Sequence, residues 1–194
     1  MTINTKINIM DTALKLFAEK GFSDTSISAI AEEAGIGKGT IYWYFESKKD
    51  LFFSIVEQRG QDYFNKVLKL DNDSIESEQI IYKYIKYTIE FIDNNYDVAK
   101  MLITNTEIIN NEFKKMMELK QQEVISILEK ALKRGQKEDK FRGFKSRDIA
   151  FMIMNIAKSG HNQFNFSIEG NIDQKTQKIY DFIMYGLIKE ERQT

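Results

Sequence analysis

The chain has 194 residues but no cysteine, no proline and a single histidine, His161. Without thiols it forms no disulfide, holds no thiolate-bound metal and senses no oxidant through cysteine. One imidazole argues against a histidine-based metal site or catalytic triad. With no proline and only ten glycines, little breaks a helix, so most of the chain is expected to be helical with short connections. No apolar run approaches the ~20 residues of a membrane span, and the N-terminus lacks a signal-peptide pattern. The expectation is a soluble, cytoplasmic protein with no membrane partner, no metal and no cofactor. Charge is also unremarkable in bulk: 28 basic residues stand against 29 acidic ones. Any binding of a polyanion must therefore depend on where charges sit.

Periodic apolar stripes supply the missing organisation. The first helix is expected over about residues 3–20, with Met10, Ala13, Leu14 and Phe17 inward and Gly21 ending it. Later helices are expected over about 75–93, 97–106, 111–137, 146–166 and 173–190. Ile81, Ile85, Ile89 and Ile92 mark the stripe of the first of these, and Val124, Ile127, Leu128, Ala131 and Leu132 that of the long one. Ile149, Met152, Ile153, Ile156, Ala157, Gly160 and Phe164 recur at helical spacing on the eighth. About nine helices and no strand define an all-α chain.

Residues 25–51 are denser in information. Thr25 and Ser26 offer hydroxyl caps to a short helix whose inner face is Ile27, Ile30, Ala31 and Ala34. Gly35 and Gly37 make a tight turn, and Gly39 permits close backbone approach at the start of a second short helix. Ile41 and Phe45 turn inward on that helix, leaving Lys38, Thr40, Tyr42, Trp43 and Tyr44 outside. Ser47 to Asp50 then resembles a capping box opening a fourth helix to about residue 70, with Gly60 a point of possible perturbation. A helix-turn-helix needs this order, and exposed aromatics on so short a helix are costly unless a partner covers them. Residues 35–49 carry three lysines and one glutamate, a local positive excess facing that partner.

The run Thr25-Ser26-x-x-x-Ile30-Ala31-x-x-Ala34-Gly35-Ile36-Gly37-Lys38-Gly39-Thr40-Ile41-Tyr42-x-Tyr44-Phe45-x-Ser47-Lys48-x-x-Leu51, after Ala13-Leu14-x-x-Phe17-x-x-x-Gly21-Phe22, resembles the N-terminal domain of the TetR family of bacterial regulators. The resemblance covers roughly residues 7–55. It implies a helix-turn-helix domain over 1–47 and an effector-binding and dimerisation domain over 48–194. It further implies a homodimeric, non-enzymatic repressor on a palindromic operator of double-stranded DNA, released by a small apolar or aromatic effector. Thr25, Ser26, Gly37, Lys38, Gly39, Thr40, Tyr42, Trp43, Tyr44 and Lys48 match the positions expected to meet DNA. An effector cavity would lie among the fifth to eighth helices, with Tyr87, Phe91, Met117 and Phe164 as lining candidates. The last two helices would form the dimer interface, through Ile153, Ile156, Ala157, Gly160 and His161.

Two other classes compete with this reading. A helix-turn-helix that has lost DNA would be a protein-interaction module using the same aromatics. An enzyme would need a nucleophile–base pair, a metal cluster or a phosphate-cradling glycine loop, and the sequence offers none of these.

Overall fold

The structure is a computed structural model and describes residues 3–104, 108–159 and 168–188. Among them are nine α-helices: α1 Ile3–Lys20, α2 Ile27–Glu33, α3 Lys38–Tyr44, α4 Lys48–Leu68, α5 Ser77–Asn94, α6 Tyr96–Thr104, α7 Asn111–Lys137, α8 Ser146–Ser159 and α9 Ile172–Leu187. The only extended pairing among the described residues is an isolated antiparallel bridge between Phe141 and Ile188. The all-α expectation holds. Gly60 does not interrupt α4, which runs through it.

Packing groups the chain into two compact units, 1–62 with 95–116, and 63–94 with 117–194. Residues 95–116 join the first unit because α6 packs on α1 there. The core of that unit begins with Ile9, Met10, Ala13, Leu16 and Phe17 of α1, all buried. Leu14 is only half-buried, so the inner stripe of α1 sits one step round from the expected one. Ile30 and Ala31 of α2, Ile41 of α3, and Leu51, Phe52 and Ile55 of α4 close over it. Phe17, Phe22 and Phe52 meet pairwise with centroids 5.4–5.7 Å apart, an arrangement worth something beyond area burial.

The second unit has its own core, in which Ile81, Ile85 and Ile89 of α5 meet Leu128, Ala131 and Leu132 of α7 and Ala150, Ile153 and Ala157 of α8. α9 joins through Ile179, Ile183, Met184 and Leu187. Asn171 caps α9 in a reciprocal box with Gln174, the paired bonds both 3.0 Å long. Lys175 and Asp93 pair at 3.0 Å and are largely shielded from solvent, with 12% and 22% side-chain exposure. At the end of α7, Arg134 donates to the carbonyls of Asp73 and Ile75 and to Ser77 Oγ, fastening the loop before α5.

Candidate nucleic-acid interface

The site grows from a turn. Ser26 is extended and its hydroxyl accepts from the Ala29 N–H at 3.1 Å, which starts α2. At the other end Gly35 takes φ +68°, a left-handed conformation that a side chain would strain. Ile36 N–H then donates to Ala31 O at 2.9 Å, and Asn8 Nδ2 ties α1 to Ala34 O at 3.2 Å. Gly37 caps α3 with an extended backbone and no side-chain bond.

Ile41, fully buried, fixes the roll of α3. By helical spacing Gly39 and Trp43 form the line opposite Ile41, with Tyr42 and Thr40 on its two shoulders. Trp43 is 67% exposed and Tyr42 56% exposed, while Thr40 and Tyr44 are half-buried. The Trp43 and Tyr44 rings meet edge to face, centroids 4.6 Å apart. Lys38, at the exposed start of α3, has no ion pair among the described residues. A Cβ built on Gly37 or Gly39 would meet no atom within 4 Å. Nothing among the described residues therefore requires these two residues to be small. Their gap faces outward.

Two expected contact residues are employed differently from the expectation. Thr25 is 1% exposed, and its hydroxyl donates inward to Gly21 O at 2.7 Å, with Leu16 O at 3.2 Å. The cap of α2 is Ser26, so Thr25 is withdrawn as a DNA-contacting side chain. Lys48 Nζ donates to Phe22 O at 2.6 Å and Thr25 O at 2.8 Å and lies 4.2 Å from the centre of the Phe22 ring. Lys48 thus pins the α1–α2 loop to the start of α4, and partial burial pulls its pKa down despite nearby Asp24. An ammonium has three donors, so one N–H is left for an outside acceptor. Glu33, one of the acidic residues of the motif, pairs with Lys15 at 3.4 Å.

The expected dimer residues divide differently. Ile153 and Ala157 are buried at 1% and 0% in the core of their own unit; Ile156 is half-buried; Gly160 and His161 lie outside the described residues. Ile153 and Ala157 are corrected to core positions. The apolar residues that α8 and α9 leave exposed are Phe151, Met152, Phe182 and Tyr185, at 55%, 54%, 70% and 83%. Met152 leaves the expected inner stripe and buried Met154 takes its place. Phe151, Phe182 and Tyr185 are not among the residues expected at an interface. Their signal was a second apolar stripe: Phe182 and Tyr185 stand three apart beside the inward series Ile179, Ile183, Leu187.

Of the effector candidates, Tyr87, Phe91 and Met117 are half-buried in the second unit, and Phe164 lies outside the described residues. Phe91 stacks on Tyr63 at 4.8 Å. Thr88 Oγ1 donates to Tyr84 O at 2.8 Å, so the 3.1 Å contact between Tyr63 and Thr88 hydroxyls has Tyr63 as donor. Tyr84 is 1% exposed, and among the described residues its hydroxyl has no hydrogen-bond partner of normal geometry. Burial pushes both the Tyr63 and Tyr84 phenols up from their ordinary range. Among the described residues no three metal-ligating side chains gather, and no helix is long and apolar enough to cross a membrane.

This geometry defines a helix-turn-helix protein: a buried Ile41, a left-handed Gly35 and an outward aromatic face on α3. Residues 9–55 match the profile of bacterial regulatory proteins of the tetR family. The chain is 31% identical over 187 residues to the uncharacterized HTH-type transcriptional regulator YerO of Bacillus subtilis strain 168, covering 94% of this chain and 63% of YerO. The chain thus spans somewhat less than two thirds of that relative's length. It is also 27% identical over 193 residues to the biofilm operon icaADBC negative transcriptional regulator IcaR of Staphylococcus aureus, covering 95% of this chain and all of IcaR (100%). A tetR-family regulatory protein from Rhodococcus RHA1 superposes with TM-score 0.80 over 98% of this chain and 100% of its own, at 14% identity, a likeness of fold alone. Residues 9–55 thus match the tetR-family regulatory domain, and the chain as a whole is similar to HTH-type transcriptional regulators.

Proposed function

We propose that the chain is a homodimeric repressor that grips a palindromic operator with one α3 per subunit. In this reading residues 1–47 meet DNA and residues 48–194 carry assembly and effector response. The observation that carries it is the outward face of α3, where Trp43 and Tyr42 stay 67% and 56% exposed beside two glycines with open space above them. A recognition helix in a major groove covers such a face. Lys38, Gly37, Gly39, Thr40, Tyr42, Trp43 and Tyr44 are the proposed contacts on and before α3, with Ser26 and the remaining Lys48 N–H on flanking phosphates. The name of IcaR, a negative regulator, supports repression as the sign.

One seven-residue helix reads too few base pairs for useful specificity. A two-fold pair doubles the contacts and reads half-sites about one helical turn, ~34–36 Å, apart. The exposed Phe151, Met152, Phe182 and Tyr185 supply a self-complementary apolar face for that pairing. The effector's proposed seat is in the second unit near Tyr87, Phe91 and Met117. An apolar or aromatic molecule that also carries a hydrogen-bonding group would suit this seat, where the buried Tyr84 hydroxyl has no partner among the described residues. Binding would shift the population toward dimers whose α3 helices are mis-spaced for the operator, and operator binding would reciprocally weaken the effector.

The test is fluorescence anisotropy of a labelled duplex from upstream of the chain's own gene, with a scrambled duplex beside it, at rising salt. Saturable binding that weakens steeply with salt and is lost in Trp43→Ala and Lys38→Ala, with circular dichroism unchanged, supports the proposal. Equal binding of both duplexes, or no effect of either variant, refutes it. Salt-insensitive capture of a protein through the same aromatics would put the interaction-module reading in its place.

A further inference from the structure

Major-groove recognition by direct readout draws on a small set of side chains. Arginine or lysine reads guanine, asparagine and glutamine read adenine, and carboxylates accept from cytosine. α3 consists of Lys38, Gly39, Thr40, Ile41, Tyr42, Trp43 and Tyr44. It contains no arginine, amide or carboxylate, so no forked group is present to pair two atoms of one base. Lys38 is a single point charge, suited as much to phosphate as to guanine.

The line opposite Ile41, Gly39 and Trp43, is apolar, while Tyr42 on one shoulder is 56% exposed and brings a single phenol hydroxyl. Trp43 is 67% exposed. Gly39, one turn before it, leaves a notch in which an added Cβ would touch nothing within 4 Å. Thr40, half-buried and so held in place by the fold, lies on the shoulder of this notch with a methyl group. On the major-groove edges of DNA the one apolar group is the C5-methyl of thymine. We infer that this regulator reads its operator chiefly through thymine methyl groups, seated against the Gly39–Thr40–Trp43 face of α3. The inference rests on the reading of α3 as the recognition helix and adds the chemistry of what it reads. Each half-site accordingly places thymines under α3, and a guanine there is selected only weakly.

Replacing dT by dU removes the methyl group and leaves base pairing and every hydrogen-bonding atom in place. The full-length protein is first used to retain duplexes from a random-sequence pool. The tightest duplex is then remade with dU at one thymine position of each half-site at a time. Loss of one buried methyl is expected to weaken binding roughly 3–5-fold, and loss from both half-sites roughly 10–20-fold. The discrimination between dT and dU is to be lost in Thr40→Ser, in Trp43→Ala or in both, and kept in Thr40→Val, which retains a methyl. Binding of every dU duplex within twofold of its dT parent would overturn the inference while leaving operator binding intact. Failure to retain any duplex from the pool would overturn operator binding itself, and the inference with it.

Discussion

Replacing Gly39 by alanine separates what the fold needs from what a DNA partner needs. Glycine in a helix is destabilising by roughly 0.5–1 kcal/mol relative to alanine, chiefly through backbone entropy. Gly39 has no positive φ, and the added Cβ would find no atom within 4 Å, so neither strain nor a clash offsets that gain. Because Gly39 sits in the first turn of α3, the lower end applies, about 0.5 kcal/mol. For a chain of this size that amounts to a rise of about 1–2 °C in Tm. The same methyl would stand in the notch beside Trp43, where a base edge is proposed to lie, and would hold α3 off the groove. The expected result is a variant slightly more stable in denaturant titration, yet at least tenfold weaker on operator DNA in anisotropy. A Gly39→Ala protein that is destabilised, or that binds DNA as tightly as the parent, would refute the reasoning.

Thr25→Val should lower stability by about 1–3 kcal/mol, since the Gly21 carbonyl, with Leu16 O beside it, loses the one hydroxyl donor aimed at them; below its melting transition it should bind DNA like the parent, which anisotropy after thermal mapping checks. Phe182→Ala and Tyr185→Ala should leave helix content unchanged but weaken the dimer in sedimentation equilibrium. A ring 70–83% exposed in the single chain recovers roughly 1–2 kcal/mol on burial, counted once per subunit. Ile153→Ala should instead cost about 2–4 kcal/mol of fold stability, because Ile153 is core. Glu76 is held below its ordinary 4.5 by the hydrogen bond from Lys140, and Glu129 by that from Lys133. A depressed carboxylate stabilises the fold above its unfolded value, and the contribution disappears as pH falls through the folded one. Thermal unfolding should therefore show a small loss of stability below about pH 4.5, flattened in Glu76→Gln; because the Glu76 carboxylate is exposed, that part of the effect is sensitive to salt.

Helix content and order were legible because the apolar spacing had little to compete with: no proline and few glycines interrupt it. The roll of α3 was legible for a sharper reason. Ile41 and Phe45 are four apart, and only one roll of α3 buries both. α8 was harder. It is apolar on two sides, one against its own core and one outward, so periodicity alone assigned Met152 inward and passed over Phe151. Thr25 and Ser26 are chemically alike as caps, and only the placement of α1 decides that Thr25 turns toward Leu16 and Gly21. Lys48 read as a phosphate lysine, yet two of its donors go to carbonyls 26 and 23 residues earlier, partners that no local pattern reveals.

Trp43 is the only tryptophan in the chain and stands 67% exposed on α3, so its fluorescence reports directly on the proposed contact. The deciding measurement is a titration of the intact protein with the duplex upstream of its own gene, followed by Trp43 emission, against a scrambled duplex of equal length. The account predicts a saturable, salt-sensitive change at two chains per site, or a multiple of two, with the native duplex alone. An unchanged spectrum with both duplexes at low salt, in protein whose circular dichroism remains helical, would contradict it.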